Sequence, residues 1–169
     1  TRTIHVEPSE AVSAVAIQDV IDALGPAGGR VVLPKVEIEL DRGIELRSHV
    51  MLEGQGAETV LRKAPGRIYR LCGYHNYGMR DVPLETTEGL EPGMTVAIRD
   101  DEHGGFFETF ARITWVEEGW VGLDRGLHSD YAADLNPILT TSFPLIFAIG
   151  AEDVSVRQLT LDGNRGVQP

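Results

Sequence analysis

The chain has 169 residues, 42% hydrophobic and 24% charged, proportions of a folded globular protein that exclude disorder throughout. A formal net charge of −11 and a pI near 4.8 argue against nucleic-acid binding, which needs positive surface against phosphate. No apolar run approaches the roughly 18–20 residues that cross a bilayer, which argues against a membrane partner, and the single cysteine, Cys72, excludes an internal disulfide and a cysteine-based zinc cluster. Cys72 is expected to be a buried thiol.

The first element is an amphipathic helix over Ser9 to Leu24. Val12, Ala16, Val20 and Leu24 fall at i+4 steps, Ile17 and Ile21 widen the stripe, and Ser9 or Ser13 supplies the N-cap. Gly25–Pro26 ends it, and Gly28–Gly29 turns the chain. Short strands follow. Arg30 to Leu33 is β-rich and stops at Pro34. Val36, Ile38 and Leu40 alternate with Glu37 and Glu39, which buries one face. Ile44 and Leu46, then His49 to Glu53, then Val60 and Leu61 continue the series, separated by Asp41–Arg42–Gly43 and Gly54–Gln55–Gly56. Most of these joints lack a two-residue hairpin signal, as a coiled parallel stack requires.

From Tyr74 to about Thr141 the pattern changes to an antiparallel meander. Met94, Val96 and Ile98 alternate, Gly104–Gly105 marks a hairpin, Phe106 to Val116 is a long β-run, and Trp120 to Leu123 pairs back. This block reads as a small β-sheet or barrel inserted between coils, with Trp115 and Trp120 filling its core. The stacked pattern returns at Phe143 to Ile149 and runs to Asp162–Gly163–Asn164. The stretches Glu45 to Gly56 and Val154 to Arg165 both end in strand, acid, glycine and polar turn, a weak internal repeat. The expected organisation is a cap helix with first coils over 1–73, the antiparallel insertion over 74–142, and a returning coil over 143–169.

Ala16-Ile-Gln-Asp-Val-Ile-Asp-Ala-Leu24, Gly28-Gly-Arg-Val-Val-Leu-Pro34 and Gly43-Ile-Glu-Leu-Arg-Ser-His-Val-Met-Leu-Glu-Gly-Gln-Gly56 together resemble the N-terminal entry of the pectate-lyase superfamily. Leu159-Thr-Leu-Asp-Gly-Asn164 is similar to a later coil of that family. The resemblance covers roughly residues 10–62 and 146–165. It implies a right-handed parallel β-helix with a capping helix, secreted or periplasmic, acting on polysaccharide. The leading expectation is the opening part of a lyase or glycoside hydrolase whose catalytic residues lie in later coils. The alternative is a non-catalytic β-helix for carbohydrate binding or adhesion, like a tailspike. A third is a self-contained small β protein. The resemblance implies many further coils, so the remaining coils or another chain are expected on the open end. No cofactor is expected in this segment, and Ca2+ only in the full-length protein.

Candidate substrate contacts are Tyr74 and His75, in a loop whose rings suit sugar faces, and Asp162, Asn164 and Arg165 at a coil edge. For the last three, turn formation is the competing role. Asp100, Asp101, Glu102 and His103 form the densest polar cluster, expected to be a solvated hairpin tip rather than a metal site.

Overall fold

The computed structural model describes residues 2–10, 13–73 and 75–169. It is mainly β: short parallel sheets, one N-terminal helix and a curled antiparallel sheet. The chain divides into two compact units, one of residues 1–65 with 144–166, the other of 66–143 with 167–169.

In the first unit, β1 (Thr3–His5) precedes the helix α1 (Ala14–Asp22), and the strands β2 (Gly29–Val32), β3 (Glu37–Leu40), β4 (Ile44–Glu45), β5 (Val50–Glu53) and β6 (Val60–Lys63) follow. After the second unit come β13 (Ile146–Phe147), β14 (Ser155–Arg157) and β15 (Thr160–Asp162). These pair in parallel in three sheets, ordered β1-β2-β5-β14, β3-β6-β15 and β4-β13. The chain therefore visits three sheets in turn and returns to each. Arg30 pairs with Met51 and Ile38 with Leu61, so one circuit takes a little over twenty residues.

Register explains the alternation. Ile4, Val31, Leu52 and Val156 form one row, and Ile38, Leu61 and Leu161 another. Val31, Leu52, Ile38 and Leu61 are buried, whereas Val156 and Leu161, in the last circuit, are 40% and 51% exposed. The apolar interior is thus open at β14 and β15. The repeat is paired differently from its sequence alignment: Leu52 meets Val156, and Leu161 meets Leu61 one sheet further on.

The helix starts later than its pattern suggests, at Ala14, because Ser13 is extended and its Oγ accepts the Ala16 N–H at 3.1 Å. Ala14, Ile17, Ile21 and Leu24 are buried; Val12 lies outside the described residues. The Gln18 amide pairs with the backbone of Glu45, accepting its N–H at 2.8 Å and donating to its carbonyl at 3.0 Å. Arg47 reaches Asp22 at 2.9 Å. The Gly54–Gln55–Gly56 corner is bonded to both neighbouring circuits: Gly54 and Gly56 donate to Arg157 and Gln158, and the Gln55 amide donates to the Leu33 carbonyl.

The second unit holds β7 (Ile68–Arg70), β8 (Asp81–Pro83), β9 (Thr95–Arg99), β10 (Thr109–Glu117), β11 (Trp120–Leu123) and β12 (Ile138–Thr141) in one sheet, ordered β7-β12-β9-β10-β11-β8. The pairings are antiparallel. The two edges meet where Leu71 bridges Leu84, with Cys72 N–H donating to the Pro83 carbonyl and Glu85 N–H to that of Arg70. Inside the curl pack Val82, Val96, Ile98, Ile113, Val121, Leu123, Leu127, Tyr131 and Leu139.

Three expectations fail here. Cys72 is exposed. Trp120 faces solvent, and Trp115 lies partly buried over Gly122, its cross-strand partner, where any side chain would strike the indole. The long strand begins at Thr109, not Phe106, because Gly105 at φ +60° turns the chain into a 3-10 turn over Gly105–Phe107.

Candidate functional site

Antiparallel order dictates where loops gather. The ends of β7, β9 and β11 and the starts of β8, β10 and β12 lie at one end of the curled sheet, so loops 71–80, 100–108 and 124–137 share that end.

The segment Leu127 to Tyr131 ties these loops together. Leu127 exchanges backbone bonds with Gly78 and Met79, Tyr77 N–H donates to Asp130 Oδ1 at 2.7 Å, and Tyr131 N–H donates to the His75 carbonyl at 3.3 Å. On its other side, Tyr131 Oη donates to the Phe107 carbonyl at 2.9 Å and lies 2.7 Å from Thr109 Oγ1. Thr109 Oγ1 also accepts the His128 N–H at 2.8 Å. The single proton on each hydroxyl then fixes one order: His128 N–H to Thr109, Thr109 to Tyr131, Tyr131 to Phe107. Burial pushes the Tyr131 phenol above its ordinary range, so it keeps this proton.

Asp100 is no solvated tip. Its carboxylate has no exposed surface, and Oδ1 accepts the N–H of Glu102 at 3.0 Å and of His103 at 2.6 Å. Both of its oxygens also meet His103 Nδ1, at 3.0 and 3.1 Å. Burial alone would raise the carboxyl; the donors of His103 and Glu102 outweigh it and hold Asp100 below the usual carboxylate range. The His103 ring packs edge-on against Phe107 and Tyr131, and Phe107 stands edge-on to Phe106. The fold therefore fixes this loop from inside while leaving rings outside: Phe106 is 95% exposed, Tyr77 is 73% exposed, and Phe107 is half-exposed. An aromatic face on a rigid loop offers an apolar surface at low entropic cost.

The residues singled out from sequence separate between the units. Tyr74 lies outside the described residues. His75 is buried in the second unit, and among the described residues neither ring nitrogen has a hydrogen-bond partner. Asp162, Asn164 and Arg165 lie in the first unit. Asp162 Oδ1 accepts the Asn164 N–H at 2.8 Å, and Oδ2 accepts Arg62 Nε at 2.8 Å. The Asn164 N–H and then Arg62 hold the Asp162 carboxyl below its usual range. Asn164, at φ +49°, donates from its amide to the Lys63 carbonyl at 3.0 Å. Asp162 and Asn164 thus make the coil turn, and Arg165 is exposed beside it. Arg62 also donates to Glu37 at 2.6 Å, so it bridges three successive strands. The sequence signal for Arg62 was the acidic residues at Glu37 and Asp162, legible only once the register is known. Among the described residues no group of three or more His, Cys, Asp or Glu is placed to hold a metal.

No family model matches the sequence, and no curated protein matches it. The structure is distantly similar to phage tailspikes. The tailspike gp61 of Pseudomonas phage phi297 matches 86% of this chain and 28% of its own, at 14% identity and TM-score 0.44. The gp54 tailspike of Acinetobacter baumannii bacteriophage AP22, solved with A. baumannii capsular saccharide, matches 88% and 28%, at 12% identity and TM-score 0.41. The tailspike gp49 of Pseudomonas phage LKA1 matches 83% and 31%, at 18% identity and TM-score 0.37. The chain spans less than a third of the length of each of these proteins.

Proposed function

We propose that this chain is the helix-capped opening of a right-handed parallel β-helix of an extracellular protein, and that it recognises polysaccharide. The observation that carries the binding reading is the gathering of Tyr77, Phe106 and Phe107 at one end of the curled sheet, on loops fastened from within by Tyr131 and Asp100. Exposed rings are a hydration cost unless they meet an apolar face, and the C–H face of a pyranose is such a face. The ion pairs along the first unit, Arg30–Glu53 and Glu37–Arg62–Asp162, engage these three carboxylates with guanidinium groups and support a structural role for them. Uncovered Val156 and Leu161 support further coils, or another chain, as the partner of the open end.

The test is a panel of neutral, acidic and amino-sugar polysaccharides, scored for binding by calorimetry and for new reducing ends or unsaturated products. Binding without product, reduced by Phe106→Ala with Phe107→Ala, is the expected outcome. Product release by this chain would move the reading to the enzyme alternative, a lyase or glycoside hydrolase. No binding to any polysaccharide would overturn it.

A further inference from the structure

Tyr69, Leu139, Ile98 and Ala111 belong to the core inside the curl, so their neighbours along β7, β12, β9 and β10 alternate to the outer face of the sheet. Register arranges these neighbours in rows. Arg70, Ile138 and Arg99 form one, and Ile68, Thr140, Ala97 and Phe110 form the next. Arg112 follows beyond Phe110, opposite Thr95. Ile68 and Phe110 are more than half exposed, whereas Thr140 and Ala97 between them are small and buried. The row is thus tall at both ends and low in the middle, across three strand spacings of about 4.8 Å each. Charge is segregated onto the same face. Residues 66–143 hold thirteen acidic residues and six arginines, and three of the six, Arg70, Arg99 and Arg112, flank this row. The acids that meet them are otherwise engaged. Glu108 lies 3.4 Å from Arg99. Asp124 accepts the Arg112 backbone N–H at 2.8 Å and lies 3.5 Å from Arg125. Glu85 meets Arg70 through backbone alone. Among the described residues, neither the Arg70 nor the Arg112 guanidinium is in an ion pair or a hydrogen bond. Unpaired forked donors beside an apolar row suit a sugar ring that carries a carboxylate: the C–H face rests on the apolar side chains, and a guanidinium takes the carboxylate through two parallel hydrogen bonds.

We infer that the outer face of β7, β12, β9 and β10 is a second glycan-binding surface, which takes a carboxylated polysaccharide laid along the row from Ile68 to Phe110, with its carboxylates on Arg70 and Arg112. This rests on the polysaccharide-binding reading and adds to it a contact surface away from the loop end and a ligand class. The arginines there supply a local positive field that the net charge of the chain conceals.

The test titrates the full chain with polygalacturonate and with its carboxyl-reduced, neutral counterpart, each at low and high salt. The expected result is binding of polygalacturonate about tenfold tighter than the neutral polymer at low salt, a preference that high salt removes. Arg70→Gln with Arg112→Gln should abolish most of the preference at an unchanged melting temperature, and Arg112→Gln alone is the probe if the double variant unfolds. Phe110→Ala should weaken both polymers by a similar factor. Equal affinity for the two polymers, or a preference that survives the arginine substitutions, overturns the inference. So does a preference lost in Phe106→Ala with Phe107→Ala, which would move charge recognition to the loop end. A dimer of the free chain that the arginine substitutions dissolve would mean that a second copy covers this face, and overturns it as well. Binding of the neutral polymer alone leaves the broader reading standing and removes this one. No binding in any arm removes both.

Discussion

Asp100 and His103 are locked together three residues apart, the buried carboxylate holding the imidazole Nδ1 at 3.0 Å and the His103 backbone N–H at 2.6 Å. This fixes the loop that carries Phe106 and Phe107. Asp100→Asn keeps the volume but removes the charge, and should cost about 1–2 kcal/mol by denaturant unfolding. The sign with pH follows from the lowered carboxyl of the folded state. Its contribution is present above the unfolded carboxylate range near pH 4, and is lost as pH falls through the lower folded value. The decline of stability with acid should therefore be shallower in Asp100→Asn. An unchanged pH profile would show that the pair contributes nothing to folding.

Tyr131→Phe tests the hydroxyl chain. It takes the donor from the Phe107 carbonyl and the acceptor from the buried Thr109 hydroxyl proton, and should cost about 1–3 kcal/mol. Hydrogen exchange should speed up selectively in loop 100–108. Exchange that rises evenly across the curled sheet would instead mark a general packing loss.

Leu61 and Leu161 occupy adjacent places in one row, one buried and one open. Leu61→Ala should cost about 2–5 kcal/mol. Leu161→Ala should cost under about 1 kcal/mol in this chain. In a protein whose further coils cover β15, the second cost should rise toward the first. Equal costs in the present chain would show that Leu161 is already packed.

Gly28 sits at φ +64°, and a Cβ there would meet the His49 carbonyl. Gly28→Ala should destabilise the first unit by at least about 2 kcal/mol, read as a lower melting temperature. A neutral substitution would mean that the turn relaxes freely.

The first circuits were legible because their signals are local: Ser13 and Gly25 bracket the helix, and Glu37 and Glu39 alternate with Ile38 and Leu40. The loop cluster was not. Asp100 reads as one of four consecutive polar residues, and its burial depends on donors that exist only when the turn after β9 closes. Tyr131 carried no signal, because its partners Phe107, Thr109 and His75 are distant in sequence and meet only through sheet order. Phe106 and Phe107 read as strand because their β propensity is high; the left-handed Gly105 overrides it. The repeat between residues 45–56 and 154–165 pointed to stacking, yet composition alone did not fix which strands pair.

The Gln18 amide does more than dock the helix. By occupying both the N–H and the carbonyl of Glu45, it imitates the strand that would otherwise lie beside β4. Exposed strand edges recruit other chains into sheets, and a side chain that completes the ladder closes that route. Replacing one glutamine would thus expose a template for self-association while leaving the apolar seal of the helix in place.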